Sequence, residues 1–264
     1  MRMADIRMRK VRERQSSNRV IVFQHSLAVI SLSIFIGLVA GCQSARTGIK
    51  SYNPNINPSH FRVSIDNPYF SLKPGTTFSY TSKTEDGTEA NKVVVTEKTR
   101  IVMGVTCRVV WDRVWLDNEL IEETYDWYAQ DKEGNVWYFG EDSKEYKNGK
   151  VASTEGSWES GVNGAMPGIV MPAKLKVGVP YRQEYYKGEA EDMAEVLSLS
   201  ETVKVPYGSF DNCIKTKDWT PLSPGVVEYK YYSSTTGGVV LETEKGNTTR
   251  VELVDINKNT KKQE

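Results

Sequence analysis

Residues 105–139 read VTCRVVWDRVWLDNELIEETYDWYAQDKEGNVWYF, and this stretch decides the fold class. Apolar residues take alternate positions from Val105 to Trp111, which is the period of a β-strand with one buried face. Asp117-Asn118 and Lys132–Asn135 interrupt the pattern with residues that favour tight turns. The stretch therefore predicts three consecutive antiparallel strands at Val105–Leu116, Leu120–Gln130 and Val136–Phe139.

The same pattern extends from Tyr69 almost to the C-terminus. Further strands are predicted at Thr76–Thr84, Ala90–Met103, Pro180–Tyr186, Val196–Val205, Cys213–Thr220, Val226–Ser233, Val239–Glu244 and Thr248–Ile256. Many short strands without alternating helices indicate an all-β domain, an antiparallel curved sheet that forms a barrel or sandwich of about 10–12 strands. Only Glu189–Leu199 has a helix-favouring composition, and its second half also reads as a strand. We therefore expect at most one short helix.

The first 41 residues have the organisation of a secretory signal peptide. Seven basic residues precede position 20, against only two acids, and Val20 to Gly41 contains no formally charged residue. A basic region, an apolar region and small residues at the cleavage point are the marks of an export signal. The alternative is an uncleaved transmembrane helix over the same apolar stretch, which is just long enough to span a bilayer.

The junction Leu38-Val39-Ala40-Gly41-Cys42 resembles the lipobox of bacterial lipoproteins. The resemblance implies cleavage between Gly41 and Cys42, and a diacylglyceryl group on the Cys42 thiol. Two or more acyl chains anchor a protein stably, whereas one is marginal. Gln43 follows the cysteine, and in the sorting pattern of enterobacterial lipoproteins a residue other than Asp there implies the outer membrane. We expect a membrane-anchored protein on the periplasmic or surface side.

Charge argues against a nucleic-acid partner. Seven of the 34 basic and two of the 34 acidic residues precede Cys42, which leaves 27 basic and 32 acidic residues in the mature chain. A domain with this acidic balance is a poor candidate for binding nucleic acid or anionic lipid.

The mature chain divides into three parts. Residues 42–68 are polar and rich in Asn and Pro, which predicts a flexible tether behind the lipid. Residues 69–258 form a single β-domain, and residues 259–264 are a polar tail. Cys107 and Cys213 lie within the domain; they either form a disulfide, which an oxidising compartment permits, or are separately buried thiols.

Three stretches resemble a class of bacterial exported lipoproteins with all-β domains. The first is Tyr69–Tyr80, YFSLKPGTTFSY, in which Ser71 stands where the pattern usually has Pro. The others are the turn Val205–Phe210, VPYGSF, and the hairpin from Lys230-Tyr231-Tyr232 to Gly237-Gly238-Val239-Val240. The resemblance implies a curved sheet like the half-barrels of lipoprotein carriers and receptors, and it brings no catalytic residues.

The sequence contains no convincing catalytic or metal centre. His60 is the only histidine of the mature chain and lies in the predicted tether, so a histidine-based triad or zinc site is not expected. Asp131, Glu133 and Asn135 read as a hairpin turn rather than a calcium loop, because Gly134 falls inside the run. We predict no catalytic residue, metal or cofactor. The carboxylate groups nearest to aromatic residues are Glu141 with Asp142, and Glu184 with Glu189 and Asp192.

The segment Gly156–Pro180 is unusual for a loop because it combines glycines and prolines with many apolar residues. Long loops inside compact domains are commonly functional. The segment is either a cap that closes one end of the sheet or a mobile lid over a pocket. The candidate lid or pocket residues are Trp158, Met166, Ile169, Val170 and Met171.

The leading functional hypothesis is a non-enzymatic, membrane-anchored β-domain that binds a hydrophobic ligand or a cell-envelope protein. Aromatic residues of the strands either fill the core or line a concave ligand face. The alternatives are an envelope hydrolase that uses carboxylates and a purely structural envelope protein.

Overall fold

The strands form a long antiparallel sheet that curls until its two edges come together. The computed structural model describes residues 52–258. The strands, in chain order, are β1 (Phe61–Arg62), β2 (Ile65–Asn67), β3 (Phe70–Leu72), β4 (Thr76–Thr84), β5 (Gly87–Val102), β6 (Val105–Leu116), β7 (Glu119–Asp131), β8 (Val136–Lys147), β9 (Lys150–Ser153), β10 (Trp158–Glu159), β11 (Met166–Met171), β12 (Pro180–Arg182), β13 (Glu184–Tyr185), β14 (Met193–Val205), β15 (Gly208–Trp219), β16 (Glu228–Ser233), β17 (Gly238–Glu244) and β18 (Arg250–Lys258). A single 3₁₀ turn, η1, spans Pro58–His60 within the described residues.

The all-β prediction is confirmed. Eleven of the eighteen described strands have six or more residues, which agrees with the expected number, and the other seven are pieces of two to four residues. The helical interpretation of Glu189–Leu199 is wrong: β14 begins at Met193 and pairs with both β12 and β15. Pairing on both edges outweighs the weak helix preference of these residues.

The large sheet nearly closes on itself. Its strand order is β12-β14-β15-β16-β17-β18-β4-β5-β6-β7-β8-β11-β13, so the path ends at β12 and β13. These two strands follow each other in sequence, with only Gln183 between Arg182 and Glu184. We call this meeting of β11 and β13 with β12 and β14 the seam.

The inside of the sheet holds the main core. Buried side chains alternate along the strands, as in β4, where Phe78 and Tyr80 are 2% and 3% exposed. The separate β2–β3 hairpin covers one end and contributes Ile65, Phe70 and Leu72 to this core. Two sets of hydrogen bonds hold the backbone of this hairpin to the large sheet. The Ser71 amide donates to the Gly237 carbonyl (2.7 Å), and the Gln130 Oε1 accepts from the backbone amides of Asp66 and Asn67.

A second, smaller core lies on the outer face of β6, β7 and β8. Its buried members are Val102, Val105, Cys107, Val109, Trp127, Ala129 and Phe139. Ile56 and Phe61 pack on it from the N-terminal segment, and Phe61 makes edge contacts with Trp137 and Phe139. Sheets that are apolar on both faces need such a cover.

Residues 52–67 fall within the predicted tether, and in the structure they pack against the sheet. Strand β1 pairs with the end of β7, and Ile65 is buried. The Tyr52 hydroxyl donates to the Pro167 carbonyl at 2.9 Å. The ordered contacts of the described chain thus begin before Tyr69, because three apolar residues among the polar ones, Ile56, Phe61 and Ile65, find partners in the two cores.

The segment Gly156–Pro180 is not a long irregular loop. Strands β10 and β11 pair in turn with the same edge of β8, and β11 also pairs with β13. Four of its apolar residues, Met166, Ile169, Val170 and Met171, therefore belong to a strand of the sheet. Sequence reading missed β11 because Pro167 and Gly168 interrupt its pattern, and such residues commonly mark turns.

The seam requires glycine at position 168. A β-carbon there would lie 2.3 Å from the carbonyl carbon of Gln183 and 2.5 Å from the amide nitrogen of Glu184. We expect Gly168→Ala to lower the free energy of unfolding by about 1–3 kcal/mol, the usual cost of an overpacked site. Urea unfolding measures this change.

Gly208→Ala is the matched control, since its added carbon would meet the Phe210 ring at 3.5 Å, an ordinary contact. Equal losses of stability in the two variants would contradict the interpretation that close backbone approach at the seam requires glycine at position 168.

Candidate functional site

An open crevice of about 390 Å³ lies at the seam. Its wall is mainly apolar and comes from both sides of the closure: Ile169 on β11, and Tyr181 and Val196 on β12 and β14. Pro172, Ala173 and Val179 complete the wall, and Glu133, Asn135, Lys174 and Lys176 form the polar rim. The volume lies within the range of about 300–1,000 Å³ that is usual for small-molecule sites.

The residues that connect β11 to β12 form one lip of the crevice. The Ala173 amide donates to Asn135 Oδ1 at 2.8 Å, which ties the start of this lip to the β7–β8 turn. The Gly178 amide donates to the Val196 carbonyl at 2.9 Å, which ties its end to β14. The crevice is therefore bounded by fixed backbone at both ends of the lip.

Tyr181 connects the crevice with the interior of the sheet. Its ring lines the crevice, and its hydroxyl is buried without a hydrogen-bond partner among the described residues. Burial, with the negative charge of Asp218 nearby, raises the pKa of Tyr181 well above its usual value. The phenol is therefore neutral and can donate a hydrogen bond at physiological pH.

Of the predicted pocket residues, only Ile169 lines the crevice. Trp158 and Met171 are buried in the main core, and Val170 packs against it. Met166 is half-buried at the β11–β13 pairing. A register shift between Ile169 and Met171 interrupts the alternation of β11, so Val170 and Met171 both contact the main core and Ile169 does not.

Sequence reading missed a charged cluster inside the sheet. The Lys230 ammonium lies 3.3 Å from Asp218 Oδ2, and their side chains are only 7% and 5% exposed. Thr216 and Gln183 also donate to the Asp218 carboxylate, at 2.5 and 3.3 Å. Glu228 and Glu242 are buried on β16 and β17 beside this pair. The alternation on β15 and β16 could have indicated it, since Asp218 and Lys230 share the inward face with apolar residues.

Lys230 is the cation that balances this cluster. Burial disfavours its charged form, but the surrounding Asp218, Glu242 and Glu228 outweigh burial and raise the pKa of Lys230 well above its usual value. A raised pKa means that the charge stabilises the fold at every pH below about 10.4, and that this contribution is lost as the pH rises above that value.

A second group of buried acids lies across β7 and β8. Asp126 and Glu141 are directly opposite in the ladder and are 1% and 3% exposed. The Tyr138 hydroxyl is 2.7 Å from Asp126 Oδ1 and 2.9 Å from Glu141 Oε2. The hydroxyl has one hydrogen to donate and lies between the two acids.

The carboxylate groupings suggested by the sequence do not form a cleft. Glu141 faces Asp126 in the interior, whereas its neighbour Asp142 is half-exposed and contacts Lys144. Glu184 and Asp192 are buried, and Glu189 is exposed. Hydrolysis of a glycoside needs two carboxyls that flank a substrate, and the described residues present no such pair at the crevice.

Cys107 and Cys213 are free, buried thiols, so the disulfide interpretation is wrong. Cys107 belongs to the outer core and Cys213 to the main core, on opposite sides of the sheet. Burial raises the pKa of both thiols. They are therefore poor nucleophiles.

The turn between β7 and β8 uses its polar residues for its own structure. Asp131 accepts hydrogen bonds from the Asn135 amide, the Asn135 side chain and the Trp137 indole, at 2.7–2.9 Å. His60 lies in η1, exposed, and is 3.3 Å from the Lys132 ammonium. Residues 52–258 contain no group of three His, Cys, Asp or Glu side chains arranged to hold a metal ion.

The aromatic residues do not line a single concave face. Tyr128 and Tyr138 stack inside the sheet, whereas Trp111 and Tyr125 stack on the outer face with an angle of 5° between their rings. The Arg113 guanidinium lies 3.6 Å from the Trp111 ring centroid, so much of this outer aromatic surface is already covered. Large side chains such as Tyr128 and Tyr138 are fully buried inside the sheet, whereas the seam crevice is open to solvent.

Comparison with known proteins gives a weak structural similarity. No family model matches the chain, and no curated protein matches it. A crystal structure described as a "putative lipoprotein" from Parabacteroides distasonis is similar over 72% of this chain and 98% of that chain, with 12% sequence identity and a TM-score of 0.37.

The membrane-associated features predicted from the sequence, the signal segment and Cys42, lie outside the described residues. Between residues 52 and 258, no helix has the length and hydropathy needed to span a bilayer.

The buried pair predicts a large effect of Lys230→Met. The variant leaves the surrounding carboxylates without their cation, and breaking a buried pair costs about 3–5 kcal/mol. Lys215→Met on β15 is the control, because Lys215 lies on the outer face over Tyr229 and should contribute about 1 kcal/mol or less.

Urea unfolding of both variants measures the effect. A loss in Lys230→Met that is no greater than the loss in Lys215→Met would contradict the assignment.

Proposed function

We propose that this chain is a lipid-anchored, exported binding protein that holds an amphipathic ligand in the seam crevice. The ligand class is a single hydrocarbon chain that carries an anionic group, such as a fatty acid. The single observation that supports this proposal most is the crevice itself, with an apolar wall that includes Ile169 and Val196 and a rim that carries Lys174 and Lys176.

The chemistry of the rim favours an anionic head group. Lys174 and Lys176 are exposed lysines at the mouth, and Glu133 is the one acid among the crevice residues. Tyr181 adds its side chain to the wall, while its hydroxyl is buried on the side of Asp218. An apolar slot with a few polar groups at one side suits a molecule with one wet and one dry end.

Binding without catalysis is supported by the location of the acids. Asp126, Glu141 and Asp218 are buried under the strands and paired with Tyr138 or Lys230. A substrate in the crevice would meet no pair of carboxyls. The proposal therefore assigns recognition to the seam and structural roles to the interior charges.

The proposed lipid anchor at Cys42 is inferred from the sequence. A thioether-linked lipid at this position would moor the domain to the bilayer, and Gln43 supports an outer-membrane location. We expect radiolabelled palmitate fed to expressing cells to enter the protein and to be lost in Cys42→Ser. Cys107→Ser and Cys213→Ser are the controls and should keep the label, because those thiols are buried in the domain. Equal labelling of Cys42→Ser and the parent would rule out this anchor.

The ligand proposal predicts that Ile169→Glu weakens binding of a fluorescent long-chain fatty acid by about tenfold or more, because a carboxylate in the apolar wall is costly to desolvate and repels the ligand. Titration of the protein with this probe measures the change. Ile101→Glu is the control: Ile101 is 70% exposed on the β5–β6 hairpin, away from the crevice residues.

Equal affinity of Ile169→Glu and Ile101→Glu for the fatty-acid probe would show that the crevice is not the binding site. Protein purified from envelopes should also release a single-chain anionic lipid on solvent extraction, detected by mass spectrometry. Bare protein that also fails to bind the probe would leave a structural role as the better interpretation.

A further inference from the structure

Residues 173–179, AKLKVGV, form an exposed segment with two lysines, three large apolar residues and no acid. We call this segment the docking loop. Val177 and Val179 are 55% and 50% exposed, and apolar residues exposed close together commonly mark a contact surface. Lys174 and Lys176 are exposed beside them.

The docking loop is held in position. Leu175 packs against the main core, while its neighbours Lys174 and Lys176 face solvent. A backbone bridge joins Val177 to Val196, and hydrogen bonds fix both ends of the loop. The exposed valines are therefore presented by a supported backbone, which lowers the entropy lost when a surface binds them.

The N-terminal segment reaches the domain at the same seam. The Tyr52 hydroxyl donates to Pro167 on β11, and its ring contacts Tyr185 at 5.6 Å and the Arg182 guanidinium at 5.4 Å. Residues 42–51 connect Cys42 to this point, and ten residues span at most about 35 Å. An anchor at Cys42 therefore keeps the seam close to the bilayer.

We infer that the docking loop rests on the bilayer, with Val177 and Val179 among the acyl chains and Lys174 and Lys176 at anionic head groups. The net acidity of the domain argued against anionic lipid, but binding depends on the local charge, and this loop is basic. The inference rests on the proposed anchorage. It also places the crevice mouth, which Lys174, Lys176 and Val179 line, at the membrane surface.

The test uses the full chain, reconstituted into vesicles of phosphatidylcholine with or without phosphatidylglycerol. Val177→Cys is labelled with an environment-sensitive fluorophore, and quenching by brominated lipids reports insertion. Val151→Cys is the matched control, because Val151 is 51% exposed on β9, away from the seam. Cys107 and Cys213 are fully buried and should not react with the label.

We expect the label at residue 177 to be quenched in vesicles that contain phosphatidylglycerol, and the label at residue 151 to stay in water. Lys174→Ser with Lys176→Ser should lower the docking equilibrium constant about 30-fold, given the attraction of two lysines to an anionic leaflet. Equal quenching at both positions, an unquenched label at residue 177, or insensitivity to the lysines would each overturn the inference.

The outcomes separate this inference from the ligand proposal. If the label at residue 177 is quenched but the protein does not bind the fatty-acid probe, membrane docking is supported and the ligand proposal is contradicted. If the protein binds the probe, Ile169→Glu abolishes this binding, and the label at residue 177 is not quenched, the ligand proposal is supported and docking is contradicted.

Discussion

Closure of the sheet at the seam is the constraint on which the rest of the structure depends. The path of hydrogen-bonded strands ends at β12 and β13, and one residue, Gln183, carries the chain from one end to the other. This is sterically feasible because Gly168 has no side chain to separate β11 from the backbone at Gln183 and Glu184. Long strands elsewhere pair along most of their length, but the seam strands β11, β12 and β13 have only six, three and two residues. The closure is thus tight in backbone spacing and short in extent, which leaves room for a crevice beside it.

Closure also explains the charges in the interior. A sheet that curls around its own inner face buries every inward residue, including polar ones, and a buried charge is costly unless it is paired. Lys230 and Asp218 satisfy this requirement together with Thr216 and Gln183, and Gln183 is the linker at the seam. The amide of Gln183 therefore connects the seam to the charged cluster. Asp126 and Glu141 have no such cation in these contacts, and both lie within hydrogen-bond distance of the Tyr138 hydroxyl. Removing one member of such a group is costly, because it leaves a buried polar atom unsatisfied.

The strands could be predicted from the sequence because their signal is local. Alternation in Val105–Leu116 and the turn at Lys132–Asn135 needed no knowledge of distant residues, and both matched the structure. The seam could not be predicted in this way. Strand β11 depends on pairing with β8 and β13, and its Pro167-Gly168 pair imitates a turn. The crevice joins Ile169 to Val196 across the closure, so neither residue signals a site by itself. Likewise, the order of Asp218 and Lys230 along the chain does not show that they meet; the β15–β16 register does.

The separation of interior charge from surface charge bears directly on function. Residues 42–264 hold 32 acidic against 27 basic residues, but many of the acids, including Asp126, Glu141, Glu184, Asp218, Glu228 and Glu242, are buried. An acid that is paired in the interior, as Asp218 is with Lys230, adds little to the field at the surface, so the net charge of the chain is a poor guide to what its surface attracts. What a ligand or a membrane meets at the seam is Lys174 and Lys176 beside exposed valines. A domain that is acidic in total can therefore present a basic, apolar edge, and the geometry of closure determines where that edge lies.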